Sequence, residues 1–366
     1  MSKRISRHQI LLCPGPVNVT PAVRRAVAGP DLCHREPEFS ALLTGTRRKL
    51  LAAFGVAKTH TVAIVSGSGT AALETAVLAS VGPGRTLLVV DNGVYGDRMI
   101  RIAAIAKIPV ARFASPLLAP VALDRLERAI RRDARIETVA VVHHETSTGI
   151  LNPVAAIARM ARRHGKQVLV DAISSIGAEP VPLAAIDLCV GSAGKCLHGY
   201  PGLSFVLVAK RCAPRLAGRP ARSFYLDLRT LLDSQEGGAP PFTPAVPLIQ
   251  AFDAALDELR REGLPTRIRR YRARAALLRR GFDRLGLEPL APRALQGHTL
   301  TALMLPPGVR YEALHDAMKR AGYVIYAGQS RFHGTMFRIA HLGALTTSDL
   351  TGVLRALARS LPRGRR

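Results

Sequence analysis

Short unbroken apolar runs alternate along the chain with segments whose apolar residues recur every three to four positions, and Gly- or Ser-bearing turns separate the two kinds. Apolar runs without polar alternation suit strands buried on both faces, and strands alternating with amphipathic helices predict a parallel α/β sheet. The first unit is a strand at 61–65, a turn at 66–70 and a helix from about 71 to 80. Further strands are expected at 86–90, 138–143, 167–170 and 188–191, with a hairpin strand at 203–208. The stretch 233–247, DSQEGGAPPFTPAVP, carries four prolines and two glycines and reads as an exposed loop, after which a long helix from about Leu248 leads out of the first domain. Beyond Gly297 the order is strand (299–305), helix (311–320), strand (323–326), strand (336–341) and helix (347–360), a small α+β unit. The expected organisation is a large domain at 16–250 and a small one formed by 251–366 with an N-terminal arm, 1–15.

Composition narrows the class. A chain of 366 residues, 48% hydrophobic and 21% charged, fills two cores without disulfides or metals. The five cysteines, Cys13, Cys33, Cys189, Cys196 and Cys212, are odd in number and lack any CxxC pair, against both a secreted disulfide framework and a zinc site. The only early apolar run, 10–13, is too short for a signal-peptide core, and no uncharged stretch reaches the roughly 18 residues of a membrane span. A cytoplasmic protein with no membrane partner and no metal is expected. The formal charge of +26 raises the question of a polyanionic partner. Only eight of the 52 basic residues are lysines, however, and the arginines spread over several helical segments such as LERAIRRDARIE. With 5% aromatics and no Trp there is little to stack on bases, so the charge reads as solvated arginine faces with no nucleic-acid site.

Ligands of open parallel sheets gather beyond the carboxyl ends of the strands. There the sequence places SGSGT (Ser68, Gly69, Thr70), small residues at a helix start that suit a phosphate, although the same string serves as an ordinary turn. Asp171 follows the run QVLV, Lys195 ends the loop SAGK, and Arg338 interrupts the apolar strand MFRIAHLG. Each has a plainer reading: Asp171 as a helix cap, Lys195 as a surface lysine, Arg338 as a cation snorkelling from an edge strand. Together, a phosphate cradle, a strand-end carboxylate and a lone lysine are the parts a pyridoxal 5'-phosphate site requires. The other seven lysines lie at the terminus, in charged helices or beside turns, which leaves Lys195 to bond the cofactor.

The successive segments LLCPGPVNVTP, CHREPEF, SGSGTAALE, DNGVYGDR, HHETSTGILNP, VDAISSIG, GSAGKCLHGYPGLSFV and FRIAHLG resemble the motifs of class V aminotransferases of fold type I, in the alanine–glyoxylate aminotransferase group. The likeness runs from about Ile10 to Gly343 in the family's order. Within the group, NGVYG, HETSTGILNP, the pair Lys195–Cys196 and PGLSFV look most like the 2-aminoethylphosphonate–pyruvate transaminases. The resemblance implies a fold type I architecture, a large domain with a mostly parallel sheet plus a small C-terminal α+β domain. It implies pyridoxal 5'-phosphate as cofactor and transfer of an amine from the aminophosphonate to pyruvate, giving phosphonoacetaldehyde and alanine. An alanine– or serine–glyoxylate (or pyruvate) transaminase is the alternative. A more remote one is a basic nucleic-acid-binding protein on an inactive fold, against which the intact Lys195 and Asp171 speak.

By this resemblance Lys195 is the Schiff-base lysine and proton carrier, and Asp171 faces the pyridine nitrogen. Ser68, Gly69 and Thr70 cradle the phosphate, and Thr243 reaches the same phosphate from a neighbouring subunit, implying a homodimer with shared sites. Tyr95 stacks on the ring, Thr146 bonds its phenolic oxygen, and Arg338 clamps the substrate carboxylate, a task for a planar bidentate donor. Pro14 and Gly15 line the substrate side. Arg35, with His34, is a candidate for the phosphonate by charge; a salt bridge from Arg35 to Glu36 or Glu38 is the competing reading. Two departures stand out: Gly194 occupies a place where relatives carry Asn or Gln, and the loop between Asp171 and Lys195 is about two residues shorter than theirs.

Overall fold

A computed structural model describes residues 9–362. Seven strands form the main sheet in the order His60–Ser66, Leu203–Ala209, Leu188–Ser192, Gln167–Asp171, Ile136–Val142, Thr86–Asp91, Val110–Ala114. All run parallel except Leu203–Ala209, which is antiparallel to both neighbours, as expected of a hairpin strand. Alternate residues feed two cores, one on each face: Val62 and Ile64 join one, Ala63 and Val65 the other. Thr86–Asp91 and Gln167–Asp171 are buried throughout, which is why they read as unbroken apolar runs. Val110–Ala114 lies at the sheet edge, half-exposed and carrying Arg112, and its broken apolar pattern hid it from the sequence.

The stretch 233–247 departs from its reading as an exposed loop. Its first four residues complete the helix Leu228–Glu236, and Gln235 is buried. The Gln235 amide accepts from the Ile64 N–H (2.9 Å) and donates to the Ile64 carbonyl (2.7 Å), satisfying the free edge of His60–Ser66. The helix Val246–Glu262 follows, and Leu264–Arg284 runs on from it.

The C-terminal part builds a three-stranded sheet, ordered Leu300–Met304, Met336–Ala340, Tyr326–Ala327, covered by the helices Tyr311–Arg320 and Thr347–Ser360. The single strand expected at 323–326 is split at the buried Ile325: Tyr323–Val324 pairs with Ile10–Leu11, and Tyr326–Ala327 pairs with Met336–Ala340. The N-terminal segment is thus stitched onto the C-terminal sheet, where the Ala340 N–H donates to the Leu12 carbonyl. Not every arginine is solvated: Arg47, Arg219, Arg267, Arg274 and Arg338 are buried. Arg267 pairs with Glu262 and donates to the Cys196 carbonyl (3.2 Å), while Arg274 donates to the Gly343 carbonyl (3.1 Å). These bonds pin the long helix to the loop that bears Lys195 and to the end of the Arg338 strand. Among the described residues no helix is long and apolar enough to cross a membrane, and no group of three His, Cys, Asp or Glu is placed to hold a metal.

Candidate active site

The chemistry-bearing residues meet where the main sheet's carboxyl edge faces the small sheet. His60–Ser66 ends at the turn that opens the helix Gly69–Leu78, whose first N–H groups have no intrahelical partners. A Cβ at position 69 would stand 2.9 Å from the Ile173 side chain, so glycine lets this helix start pack closely against the loop that follows Asp171. Arg98 donates to the Thr70 hydroxyl (3.0 Å) and lies 4.6 Å above the Tyr95 ring. It brings a cation to the cradle that the sequence reading missed. Its signal was the spacing Tyr95 to Arg98 on one helix face in DNGVYGDR.

Asp171 closes its strand, buried, with Oδ1 accepting from the Ile173 N–H (2.9 Å). Burial pushes its carboxyl up to about 6; the nearby Glu145 adds to this, and Arg98 and Lys195 act against it. Lys195 is partly buried and donates to the Pro14 carbonyl, so it is not a loose surface lysine. Desolvation draws its ammonium below the ordinary value. Gly15, at φ +116°, lies so close that a Cβ there would come within 2.6 Å of the Lys195 Nζ. The segment Pro14–Gly15 therefore roofs the lysine. The missing Asn or Gln at Gly194 also has a steric reason: a Cβ at that position would stand 2.8 Å from the Pro201 backbone.

Arg338 is fully buried in the central strand of the small sheet, which overturns its reading as an edge-strand cation. Its Nε donates to the Ala327 carbonyl (2.9 Å), and its Nη1 donates to the Thr146 carbonyl (3.0 Å) and to Gln329 (3.2 Å). Tyr326 lies 5.0 Å from the guanidinium. Its Nη2 is buried without a partner, and so is the Thr146 hydroxyl. Buried polar atoms are nearly always bonded, so two orphans in one site fit a ligand that supplies an anion to one and an oxygen to the other. A phosphate-ready helix start, a buried carboxylate and a half-enclosed amine complete a donor set that suits pyridoxal phosphate. When bound, that group supplies a conjugated ring that withdraws electrons from the substrate carbon. A cavity of about 810 Å³ adjoins the cradle, lined among others by Thr70, Arg98, Ser147, Gln329 and Arg331.

Two expected residues do not join this cluster within one chain. Arg35 is exposed and donates to the Pro240 carbonyl (3.3 Å); it pairs with neither Glu36 nor Glu38. Thr243, three residues beyond Pro240, is exposed as well.

Residues 24–348 match the family described as aminotransferase class-V. The chain is 34% identical over 360 residues to a 2-aminoethylphosphonate–pyruvate transaminase of Vibrio cholerae serotype O1, covering 96% of this chain and 97% of the relative. It is 36% identical over 361 residues to an enzyme of the same description from Syntrophobacter fumaroxidans, covering 97% and 96%. Among solved structures, the alanine–glyoxylate aminotransferase of Nostoc sp. superposes with a TM-score of 0.92 at 26% identity, over 99% of this chain and 97% of that one. With the donor set above, these likenesses define a fold type I, pyridoxal-phosphate-dependent transaminase, which acts on a small amino donor and a 2-oxo acid acceptor. The chain belongs to the aminotransferase class-V family.

Proposed function

We propose that the enzyme moves the amine of 2-aminoethylphosphonate to pyruvate, giving phosphonoacetaldehyde and alanine. The relatives of that description, similar over nearly their whole length, support the choice of donor. The observation that carries the reading is the buried Arg338 with its Nη2 left unpaired. A single planar cation of this kind can take the phosphonate in one half-reaction and the pyruvate carboxylate in the other. In this reading Lys195 bonds the cofactor and shuttles the proton at the substrate carbon, and Asp171 keeps the pyridine nitrogen protonated. Ser68, Gly69 and Thr70 hold the phosphate, Tyr95 stacks on the ring, Thr146 bonds the phenolic oxygen, and Pro14 and Gly15 bound the substrate side.

Comparison of 2-aminoethylphosphonate, alanine and serine as donors to pyruvate and glyoxylate tests the assignment. The phosphonate is expected to lead in kcat/KM by more than about tenfold, roughly 1.4 kcal/mol of transition-state discrimination. A tenfold lead for alanine or serine with glyoxylate overturns it. If Arg35 binds the phosphonate, Arg35→Ala shrinks that lead; an unchanged lead removes the role from Arg35 alone.

The reading is further of a cytoplasmic homodimer with no nucleic-acid partner, in which Thr243 of each subunit completes the other's phosphate site. Within one chain Thr243 is exposed, on the loop that Arg35 anchors through the Pro240 carbonyl. Cofactor and dimer are then linked, each strengthening the other. Sedimentation is expected to give a tighter dimer with cofactor than without, and equal dissociation constants would remove the cross-subunit role.

A further inference from the structure

Glu145 takes no part in the roles assigned above, yet its carboxylate is fully buried at the centre of the site. It sits in the two-residue strand His144–Glu145, just past the carboxyl end of Ile136–Val142. One oxygen accepts from the Ser147 N–H (3.1 Å) and the Ser147 hydroxyl (2.6 Å), and the other accepts from the Tyr95 N–H (3.0 Å). Backbone N–H groups can only donate, so both oxygens act here as acceptors, which fixes the plane of the carboxyl group between Ser147 and Tyr95. Burial, with Asp91 adding to it, holds this carboxyl above its ordinary value against the pull of the three bonds. Gly93 packs directly on the carboxylate, leaving no room for a side chain there. The next residue, Thr146, offers the carbonyl that accepts from Arg338.

We propose that Glu145 is a positioning residue: its one carboxyl group fixes Tyr95 at the start of the helix Val94–Ile105 and holds the Thr146 turn against which Arg338 is oriented. The inference rests on the reading of Tyr95 as the residue that stacks on the cofactor ring. It ties a large-sheet helix and a small-sheet strand to the same turn, so a fault at Glu145 disturbs both the ring platform and the anion clamp.

The chain has no tryptophan, so Tyr95→Trp installs a single indole at the position in question, readable without cofactor or turnover. In the cofactor-free protein, adding Glu145→Gln replaces one accepting oxygen by an NH₂, set against the N–H of residue 95 or of Ser147, so the group no longer holds both. The expected result is higher acrylamide quenching and lower anisotropy of the indole, with pyridoxal phosphate affinity about tenfold weaker, the scale of a lost hydrogen bond to a charged group. In otherwise native protein, Glu145→Gln is expected to raise KM for pyruvate more than it lowers kcat. Quenching and cofactor affinity equal to those of the Tyr95→Trp parent would overturn the proposal. If Glu145→Gln does not fold, Ser147→Ala decides: it removes only the hydroxyl donor, and a smaller rise in quenching supports the proposal while no rise refutes it. Failure of the parent to bind pyridoxal phosphate would strike the cofactor reading, and the quenching comparison would still judge the placement of residue 95.

Discussion

Lys195→Ala is expected to abolish turnover, lowering kcat by more than about 10⁴-fold as removal of a covalent catalyst does. The visible absorbance of covalently held cofactor should vanish with it. The fold should survive, because the side chain makes one hydrogen bond, to the Pro14 carbonyl, and its loss removes no hydrophobic residue from the cores. Its neighbour Cys196 carries the packing at this point, buried with Tyr271, Leu300 and Met336. The thermal midpoint should therefore shift by no more than corresponds to about 1 kcal/mol. Activity of even a few per cent of wild type, with no external amine added, would take the covalent role away from Lys195. Lost activity accompanied by a collapsed midpoint would point to damaged packing.

Much of this site was legible because topology does the gathering. In a parallel sheet every strand delivers its carboxyl end to one edge, so Ser68, Asp171 and Lys195 could be grouped from strand positions alone, though about a hundred residues separate the first two. Pro14 and Gly15 were not legible in that way. They reach Lys195 only because Ile10–Leu11 pairs with Tyr323–Val324, a contact between distant segments with no local signal, and only the family likeness pointed to them. Arg338 was found as an oddity in an apolar strand, but its central position depends on which strands flank it, and sequence does not give strand order. Arg98 and Glu145 were missed for a different reason. A charged residue on a helix or a turn looks like a solvated one until the partner that buries it is known. The helix through Gln235 was hidden by the prolines and glycines that follow it, since its anchor is a side-chain bond to a sheet edge 171 residues away.

Asp171→Asn should separate function from stability. In the cofactor-free protein the carboxyl, ordinarily near 3.8, is pushed up to about 6, chiefly by burial. Between those values the folded protein binds more protons than the unfolded chain, so this group's contribution to stability falls as pH rises through that window. Above it, keeping the buried carboxylate ionised costs about 3 kcal/mol. Asparagine still accepts from the Ile173 N–H and carries no charge. The cofactor-free variant is therefore expected to be more stable than cofactor-free wild type at pH 8 and about equal to it at pH 4, as thermal unfolding at the two pH values would show. Cofactor should stay bound through Lys195 and the phosphate cradle, yet single-turnover rates should fall about 10²- to 10³-fold, because a neutral amide cannot stabilise the positive charge on the ring nitrogen. A near-normal rate would assign that role to another residue, and equal stability at pH 8 would mean that water reaches the carboxylate and burial does not govern it.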